Sequence, residues 1–258
     1  MGGAARKRAG IGIILLCLIV CFCLPARSAM AKNRFQRSSV KLETGPRVFY
    51  WVYVPEDQPA DGLPLVVYIH GSGEWGERAL KAALPALIND GAIERFPAVL
   101  LVPQMPQSGK WYLFKNQVVT MVERVSQAYD TDPERMTLTG FSMGATFCWD
   151  FANSYPEMFP RIASVCGRIE HADTQLEAFA GSYVRTYVGT KDVNVPPESS
   201  MDFTRQLIDE GYAAELFVLE ATHAQMQKNM FLDQDLLDWL CYQETVDDAA
   251  DGENSVEE

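Results

Sequence analysis

The pentapeptide Gly-Phe-Ser-Met-Gly at residues 140–144 sets a serine in a position suited to covalent chemistry. It follows a short run at 136–139 that is typical of a strand, and it leads into a predicted helix from residue 145. Glycines at both ends leave room for a sharp turn, and the serine oxygen would then lie at the carboxyl edge of a sheet. We therefore predict Ser142 as a nucleophile. The alternative is a glycine-rich connection whose serine has no role.

A serine hydroxyl becomes a strong nucleophile only when a base removes its proton, and the chain offers three histidines for that task. His223 follows the last predicted strand, residues 215–219, and we predict it as the base. His70 ends an apolar run, so we expect it to support the backbone of the loop that follows. His171 lies on a loop after the strand that succeeds the pentapeptide, and we expect it to be solvated.

A carboxylate is then needed to orient the imidazole and to stabilise its charged form. Asp192 follows the predicted strand at 183–188, which comes directly before the strand that leads to His223. The chain order Ser142, Asp192, His223 is typical of hydrolases that hold their serine on a strand-to-helix turn. The alternative is that Asp192 only caps the helix expected after residues 196–197.

The oxyanion that forms during acyl transfer needs preorganised N–H donors. Met143 directly follows the predicted nucleophile and can supply one through its backbone. We predict the second from Ser72, in the loop that follows His70. Its neighbours Gly71 and Gly73 allow the backbone to approach a substrate closely.

The elements that must position these residues are short apolar strands alternating with helices. Strands are predicted at 48–54, 65–69, 98–102, 136–139, 162–165, 183–188 and 215–219, and helices at 79–88, 118–129, 145–154, 202–210 and 231–242. This alternation predicts an α/β fold with a mostly parallel central sheet covered by helices on both faces. Residues 32–41 have no periodicity and are predicted as an irregular segment. Residues 167–182 are too few for a large cap domain, so we expect an open site.

The first 31 residues are typical of a cleavable export signal. Basic residues at 6–8 precede an apolar run at 11–24, and small residues follow at 29–31. A run of about 14 residues is short for crossing roughly 30 Å of hydrocarbon, although a retained anchor is the alternative. We therefore predict a secreted or periplasmic protein with no stable membrane association after cleavage, a catalytic domain at 32–243, and a disordered acidic tail at 244–258.

The acidity of the chain excludes one class of partner. The net charge is −12, and cleavage after residue 31 would remove four basic residues and no acid, which leaves −16. Such a surface repels phosphate backbones, so we expect no nucleic-acid partner. The three cysteines beyond the signal, Cys148, Cys166 and Cys241, form neither a CxxC motif nor an even set for disulfides. We predict that they pack as small apolar residues, and we predict neither a metal nor a cofactor.

Several motifs occur together in one order along the chain. They are His-Gly-Ser-Gly-Glu at 70–74, Val-Pro-Gln at 102–104, Trp111, the pentapeptide at 140–144, Tyr-Pro-Glu-Met-Phe at 155–159, Cys-Gly at 166–167 and Gly-Thr-Lys-Asp at 189–192. From about residue 45 to 242 the chain resembles bacterial carboxylesterases of the α/β-hydrolase superfamily, akin to dienelactone hydrolases, feruloyl esterases and polyhydroxybutyrate depolymerases. Two positions depart from that pattern: Ala145 stands where a second glycine is usual, and residues 222–226 lack the usual glycine before the base and tryptophan after it.

The resemblance implies hydrolysis of a carboxylic ester through an acyl-enzyme, with a small-molecule or polymer-linked ester as substrate. Trp111 and the loop at 104–116 would line the acyl or alcohol pocket. An open site would suit a bulky or polymeric ester better than a buried lipid. Two alternatives stay open: a serine peptidase of the prolyl-oligopeptidase-like group, and a non-catalytic binding protein with the same fold.

Overall fold

The computed structural model describes residues 34–57, 59, 62–81, 83–106 and 110–243. The predicted signal at 1–31 and the predicted acidic tail at 244–258 lie outside these residues. Within the described part of the chain, no helix is both long enough and apolar enough to span a bilayer.

The described residues form a sheet of eight strands. These are β1 Phe35–Val40, β2 Val48–Tyr53, β3 Leu63–Ile69, β4 Val99–Gln104, β5 Thr131–Phe141, β6 Arg161–Val165, β7 Tyr183–Gly189 and β8 Ala214–Leu219. Their spatial order is β1-β2-β4-β3-β5-β6-β7-β8. The pairs β1–β2 and β2–β4 are antiparallel, and every pair from β4–β3 through β7–β8 is parallel. The sheet is therefore mostly parallel, as predicted.

Helices cover both faces of this sheet. They are α1 Ala83–Asn89, α2 Lys115–Tyr129, α3 Met143–Ser154, α4 Glu198–Asp209, α5 His223–Asn229 and α6 Gln234–Leu240. Successive residues of β3 point to opposite faces, so Val67 packs in one core with side chains of α2, α3 and α4, whereas Val66 packs in the other with those of α1, α5 and α6. Because both faces are buried, every residue of β3 and β4 is buried, and β3 and the first five residues of β4 are unbroken apolar runs.

The connection between β6 and β7 carries no cap domain. Residues 166–182 contain one short 3₁₀ helix, Leu176–Phe179, whose buried Phe179 anchors it on the core. The prediction of an α/β-hydrolase fold without a large cap is therefore confirmed.

The prediction of an irregular segment at 32–41 was wrong, because β1 forms there. Only Phe35 and Val40 are buried in this edge strand, so it has no alternating apolar pattern. It is held by backbone pairing with β2 and by Arg37, whose guanidinium lies 4.0 Å from the ring centroid of Phe49.

The terminal helix predicted at 231–242 is present but shorter, as α6, and a 3₁₀ turn at Met230–Leu232 precedes it. Asp233 begins α6 as its N-cap, and its carboxylate accepts a hydrogen bond from the Leu236 N–H at 3.1 Å. Helix α5, which was not predicted, begins at His223.

Candidate active site

Ser142 lies on the sharp turn between β5 and α3. Its backbone has φ 56° and ψ −118°, a conformation that is costly for a residue with a Cβ. The Ser142 N–H donates to the carbonyl of Val165 on β6 at 2.9 Å, which anchors the turn to the sheet. A Cβ at Gly144 would lie 2.0 Å from the carbonyl oxygen of Ile69, so β3 and α3 approach as closely as they do only because residue 144 is glycine.

His223 is the first residue of α5, directly after the N-cap Thr222. A capping box fixes this helix start: the Thr222 side chain accepts from the Gln225 N–H, and the Gln225 side chain accepts from the Thr222 N–H at 2.9 Å. The imidazole packs on the ring of Phe141, with centroids 4.6 Å apart. His223 is therefore held by a helix end and an aromatic ring, which restricts where its two nitrogens can point.

The side chains predicted as nucleophile, base and acid lie in one hydrogen-bonded chain. His223 Nε2 lies 2.9 Å from Ser142 Oγ, and His223 Nδ1 lies 2.6 Å from Asp192 Oδ2. The Asp192 side chain is 1% exposed. Because a carboxylate can only accept, Nδ1 carries the proton and Nε2 presents its lone pair to the serine. This is the tautomer that can remove the proton of Ser142.

The carboxylate of Asp192 is oriented by its own loop. Its Oδ1 accepts hydrogen bonds from the backbone N–H groups of Asn194 and Val195, both at 2.9 Å, which directs Oδ2 towards His223. Helix α4 begins at Glu198, and its N-cap Pro197 has no side-chain capping bond. Asp192 therefore caps a turn and contacts the imidazole, and it does not cap α4.

A thiol completes the surroundings of Asp192. Cys166, directly after β6, is 2% exposed, and its thiol lies beside Asp192. Burial and the neighbouring carboxylate raise the pKa of this thiol well above its ordinary value. Ligand atoms of Cys166, Asp192 and His223 lie within 4.8 Å of one another. However, a protonated thiol is a poor metal ligand. His223 Nδ1 and Asp192 Oδ2 are already hydrogen-bonded to each other, so these three side chains suit a polar network better than a metal site. All three described cysteines are free and buried, as predicted.

The two predicted oxyanion donors face the same cavity as Ser142. Ser72 and Met143 both contribute to its wall. The N–H of Met143 lies in the first turn of α3, where no intrahelical acceptor exists and where the helix dipole favours negative charge. The loop at 71–73 is turned by Gly73, whose φ of +86° favours glycine.

His70 supports that loop from beneath, as predicted. It is fully buried, its Nε2 accepts from the Met105 N–H at 3.2 Å, and its Nδ1–H donates to the Gly71 carbonyl at 2.9 Å. Burial lowers the pKa of His70 to about 4, so the ring is neutral. Trp111 Nε1–H donates to the His70 carbonyl at 3.0 Å, so this tryptophan braces the loop as well as contributing to the cavity wall.

The cavity in front of Ser142 has a volume of about 530 Å³ and a mixed lining. Its aromatic members are Trp111, Tyr112 and Phe147. Its charged or titratable members are Lys110, Asp150, Arg168, Glu170 and His171. Most of these charges are matched, since Arg168 pairs with Glu170 and Asp150 with Lys115, so the lining is polar without one dominant sign.

Sequence reasoning missed most of this lining. His171 is exposed, as expected, and its half-exposed side chain also lies at the cavity rim, with Nε2 3.6 Å from Asp150 Oδ1. Met143, Phe147 and Asp150 recur at helical spacing along α3. Once Ser142 was placed at the start of that helix, this spacing was a signal that they share its side.

Comparisons with known proteins concern the family and the fold of the chain. The family model described as the dienelactone hydrolase family matches residues 107–244. A search of curated proteins gave no match. Among solved structures, a thermostable esterase is 23% identical with a TM-score of 0.69 over 82% of this chain, and the chain spans 63% of that protein.

Two further structures show how widely the fold is shared. A ferulic acid esterase from the anaerobic fungus Anaeromyces mucronatus is 16% identical with a TM-score of 0.56, covering 76% of this chain and 88% of that one. An acylaminoacyl peptidase from Pyrococcus horikoshii is 14% identical with a TM-score of 0.58, covering 83% of this chain and 42% of that one. At these identities the structures establish the fold alone, whereas the family model covers more than half of the chain. The resemblance predicted from the motifs is thus confirmed, and the chain is a hydrolase with the α/β-hydrolase fold that belongs to the dienelactone hydrolase family.

Proposed function

We propose that this protein hydrolyses carboxylic esters through an acyl-enzyme formed on Ser142. The observation that carries the proposal is the chain from Ser142 Oγ through His223 to Asp192, with its two contacts of 2.9 and 2.6 Å. A serine hydroxyl that donates to a neutral imidazole, itself oriented by a buried carboxylate, has the arrangement needed for nucleophilic attack.

In the first half of the reaction, His223 Nε2 takes the proton of Ser142 as Oγ attacks the ester carbonyl. Asp192 stabilises the imidazolium that forms, without itself taking a proton. The backbone N–H groups of Met143 and Ser72 stabilise the oxyanion, and each such donor contributes about 10²- to 10³-fold to the rate. His223 then protonates the leaving alcohol, and the acyl group stays on Ser142.

In the second half, water takes the place of the alcohol. His223 removes a proton from the water, whose oxygen attacks the acyl carbon, and the same two N–H groups stabilise the second oxyanion. Collapse of this intermediate releases the acid, and the proton returns to Ser142. The sum is the addition of one water across the ester bond, which needs no cofactor.

The shape of the cavity supports a bulky or polymer-linked ester as substrate. No cap domain lies between β6 and β7, and the short connection there supplies only Arg168, Glu170 and His171 to the lining of the cavity of about 530 Å³. The aromatic side chains of the lining support a flat or apolar group near the carbonyl, and its polar side chains support a hydroxylated group. Tyr112 at the mouth is 48% exposed, which leaves its ring available for stacking.

The test is labelling with a fluorophosphonate probe, followed by a panel of esters. Wild type should be labelled, whereas Ser142→Ala should not, and His223→Ala should react far more slowly. Ser126→Ala, on α2 away from the cavity, is the matched control and should label normally. Labelling that survives Ser142→Ala would overturn the assignment of the nucleophile, and an unlabelled wild type would favour a non-catalytic binding protein. A peptide anilide that is cleaved faster than an aryl acetate would favour a peptidase.

Export is a separate part of the proposal and rests on residues 1–31. A basic start, an apolar run and small residues before the predicted cleavage point support a signal that is removed on secretion. Expression of the full chain with the secretory machinery should yield a mature protein that begins near residue 32. Mass spectrometry of the amino terminus measures this, and an intact terminus in the membrane fraction would favour a retained anchor.

A further inference from the structure

The Glu74 side chain is a buried carboxylate beside the active site that the mechanism above does not use. It is the last residue of the motif at 70–74, and it is 7% exposed. Burying a carboxylate is costly unless hydrogen bonds compensate, so its contacts are informative.

Those contacts join two separate parts of the site. Glu74 Oε2 accepts a hydrogen bond from the backbone N–H of Gly71 at 3.2 Å, which closes the loop that presents Ser72. Glu74 Oε1 accepts a hydrogen bond from Gln227 Nε2 at 2.8 Å, across 153 residues of chain. Gln227 lies one turn after His223 on α5, so the helix that carries the base is tied to the loop that carries an oxyanion donor.

We propose that Glu74 is a positioning residue that fixes the Ser72 loop relative to the helix bearing His223. This inference rests on the proposed function, because only in that function do the Ser72 loop and the helix bearing His223 act in the same reaction. A donor for the oxyanion and a base for the serine must both lie within hydrogen-bond distance of the same reacting group, although they come from different connections of the sheet.

The contact uses both acceptor oxygens of a carboxylate. The Gly71 N–H and the Gln227 NH₂ both donate to Glu74, and an ionised carboxylate can accept from both at once. The Gln227 amide also has an acceptor oxygen, so a glutamine at position 74 could keep a bond to it only if that amide turned, whereas an alanine would lose both bonds. Burial raises the pKa of Glu74 above its ordinary value, while the two N–H donors lower it and so favour the charged form.

The two elements do not depend on Glu74 to stay folded. Helix α5 is anchored by Met226, which is 1% exposed in the core, and by the capping box at its start. The chain after the loop is held by the N–H of Gly76, which donates to the Met105 carbonyl at 3.0 Å. The Glu74–Gln227 hydrogen bond fixes the position of helix α5 relative to the Ser72 loop. Its loss should therefore change catalysis more than stability.

The experiment removes the contact in one variant and exchanges its two side chains in another. Glu74→Ala removes both acceptors, and Gln227→Glu brings two carboxylates together. We expect each to lower kcat about 10- to 100-fold, the loss that follows a misplacement of about 1 Å, with little change in KM. In the double variant Glu74→Gln/Gln227→Glu, residue 74 can accept from Gly71 and donate to residue 227. We expect it to recover most of the kcat that Gln227→Glu loses, which a merely structural role would not predict.

The exposed pair on α6, in which Gln234 Nε2 donates to Asp238 Oδ1 at 2.7 Å, is a matched control. Asp238→Asn should leave kcat unchanged. If Glu74→Ala does not fold, Gln227→Ala, which removes one of the two bonds from a half-buried helix position, should lower kcat while thermal unfolding stays near wild type. A labelled, active wild type whose kcat is unaffected by Gln227→Ala, or a double variant no better than Gln227→Glu, would overturn the inference. An unlabelled wild type would instead overturn the proposed function.

Discussion

Replacing Asp192 by asparagine should separate the orientation of His223 from its charge. The carboxylate of Asp192 accepts three hydrogen bonds: Oδ1 accepts from the N–H groups of Asn194 and Val195, and Oδ2 accepts from His223 Nδ1. In Asp192→Asn the amide oxygen keeps the two backbone bonds, so the NH₂ group faces His223. The imidazole must then accept at Nδ1 and carry its proton on Nε2, where it cannot act as a base towards Ser142.

The magnitude follows from these contacts. Turning the amide to restore the productive tautomer gives up two backbone hydrogen bonds, at about 1 kcal/mol each. Losing the carboxylate also removes a charged hydrogen bond to the imidazolium, which contributes about 1.5–3 kcal/mol. Together these effects amount to about 3.5–5 kcal/mol, so kcat should fall about 400- to 5,000-fold.

The assay is steady-state hydrolysis of an aryl acetate at neutral pH, with thermal unfolding measured alongside. KM and the melting temperature of Asp192→Asn should stay close to wild type. Asp202→Asn, which breaks an exposed pair with Arg205 on α4, is the control and should keep full activity. An Asp192→Asn enzyme that keeps more than about a tenth of kcat would refute the reasoning.

Three further changes have directions that the structure sets. Gly144→Ala places a Cβ 2.0 Å from the Ile69 carbonyl, so the free energy of unfolding should fall by about 3 kcal/mol in chemical denaturation. Cys166→Ala removes the thiol that lies beside Asp192 and should lower kcat about fivefold, and Cys166→Ser, whose hydroxyl can donate to the carboxylate, should restore it. The neutral imidazole of His70 contributes stability that is fully present above its unfolded pKa, near 6.5, and lost towards its folded pKa of about 4. Between pH 7 and 4, wild type should therefore lose about 3 kcal/mol more than His70→Asn.

Each of these has an outcome that contradicts it. An unchanged denaturation midpoint in Gly144→Ala would mean that β3 and α3 can separate without cost. Equal activity of the alanine and serine variants of Cys166 would mean that the thiol does not orient Asp192. The same pH slope in wild type and His70→Asn would mean that His70 titrates alike in the folded and unfolded states.

The central strands could be predicted because burial leaves a direct trace in their sequences. Strands β3 and β4 are covered on both faces, so β3 and all of β4 before Gln104 appear as apolar runs. The turn at Ser142 was predictable for a similar reason. A Cβ at Gly140 would lie 2.7 Å from the nearest backbone atom, and a Cβ at Gly144 would lie 2.0 Å from one, so both positions require glycine. In both cases a local steric demand restricts the residue type.

The edge strand and the helix that carries the base could not be found from apolar periodicity. In β1 the stabilising contacts are backbone bonds to β2, which leave no mark on side-chain type. In α5 only Met226 is buried, so the helix has too few apolar positions to show a period. The Thr222 to Gln225 spacing of a capping box was nevertheless present and was a usable signal for a helix that begins at His223.

The order of Ser142, Asp192 and His223 was predictable, but the contact between Glu74 and Gln227 was not. The first follows from strand topology, because the carboxyl ends of parallel strands meet at one edge. The second depends on how a loop after β3 lies against a helix after β8, and no local pattern links residues 153 positions apart. Pairs of this kind become visible only once the elements are placed.

Backbone hydrogen bonds hold the loops that carry Asp192 and His223 close together, independently of the bond between the two side chains. The N–H of Thr190 donates to the Leu219 carbonyl at 2.8 Å, and the N–H of Lys191 donates to the Ala221 carbonyl at 3.1 Å, so the two loops run side by side up to the reacting residues. Gly189 permits this approach, since a Cβ there would lie 2.4 Å from the Ala221 oxygen. Because these bonds hold without the carboxylate, Asp192→Asn should keep the geometry of the site and lose only the proton arrangement on which catalysis depends.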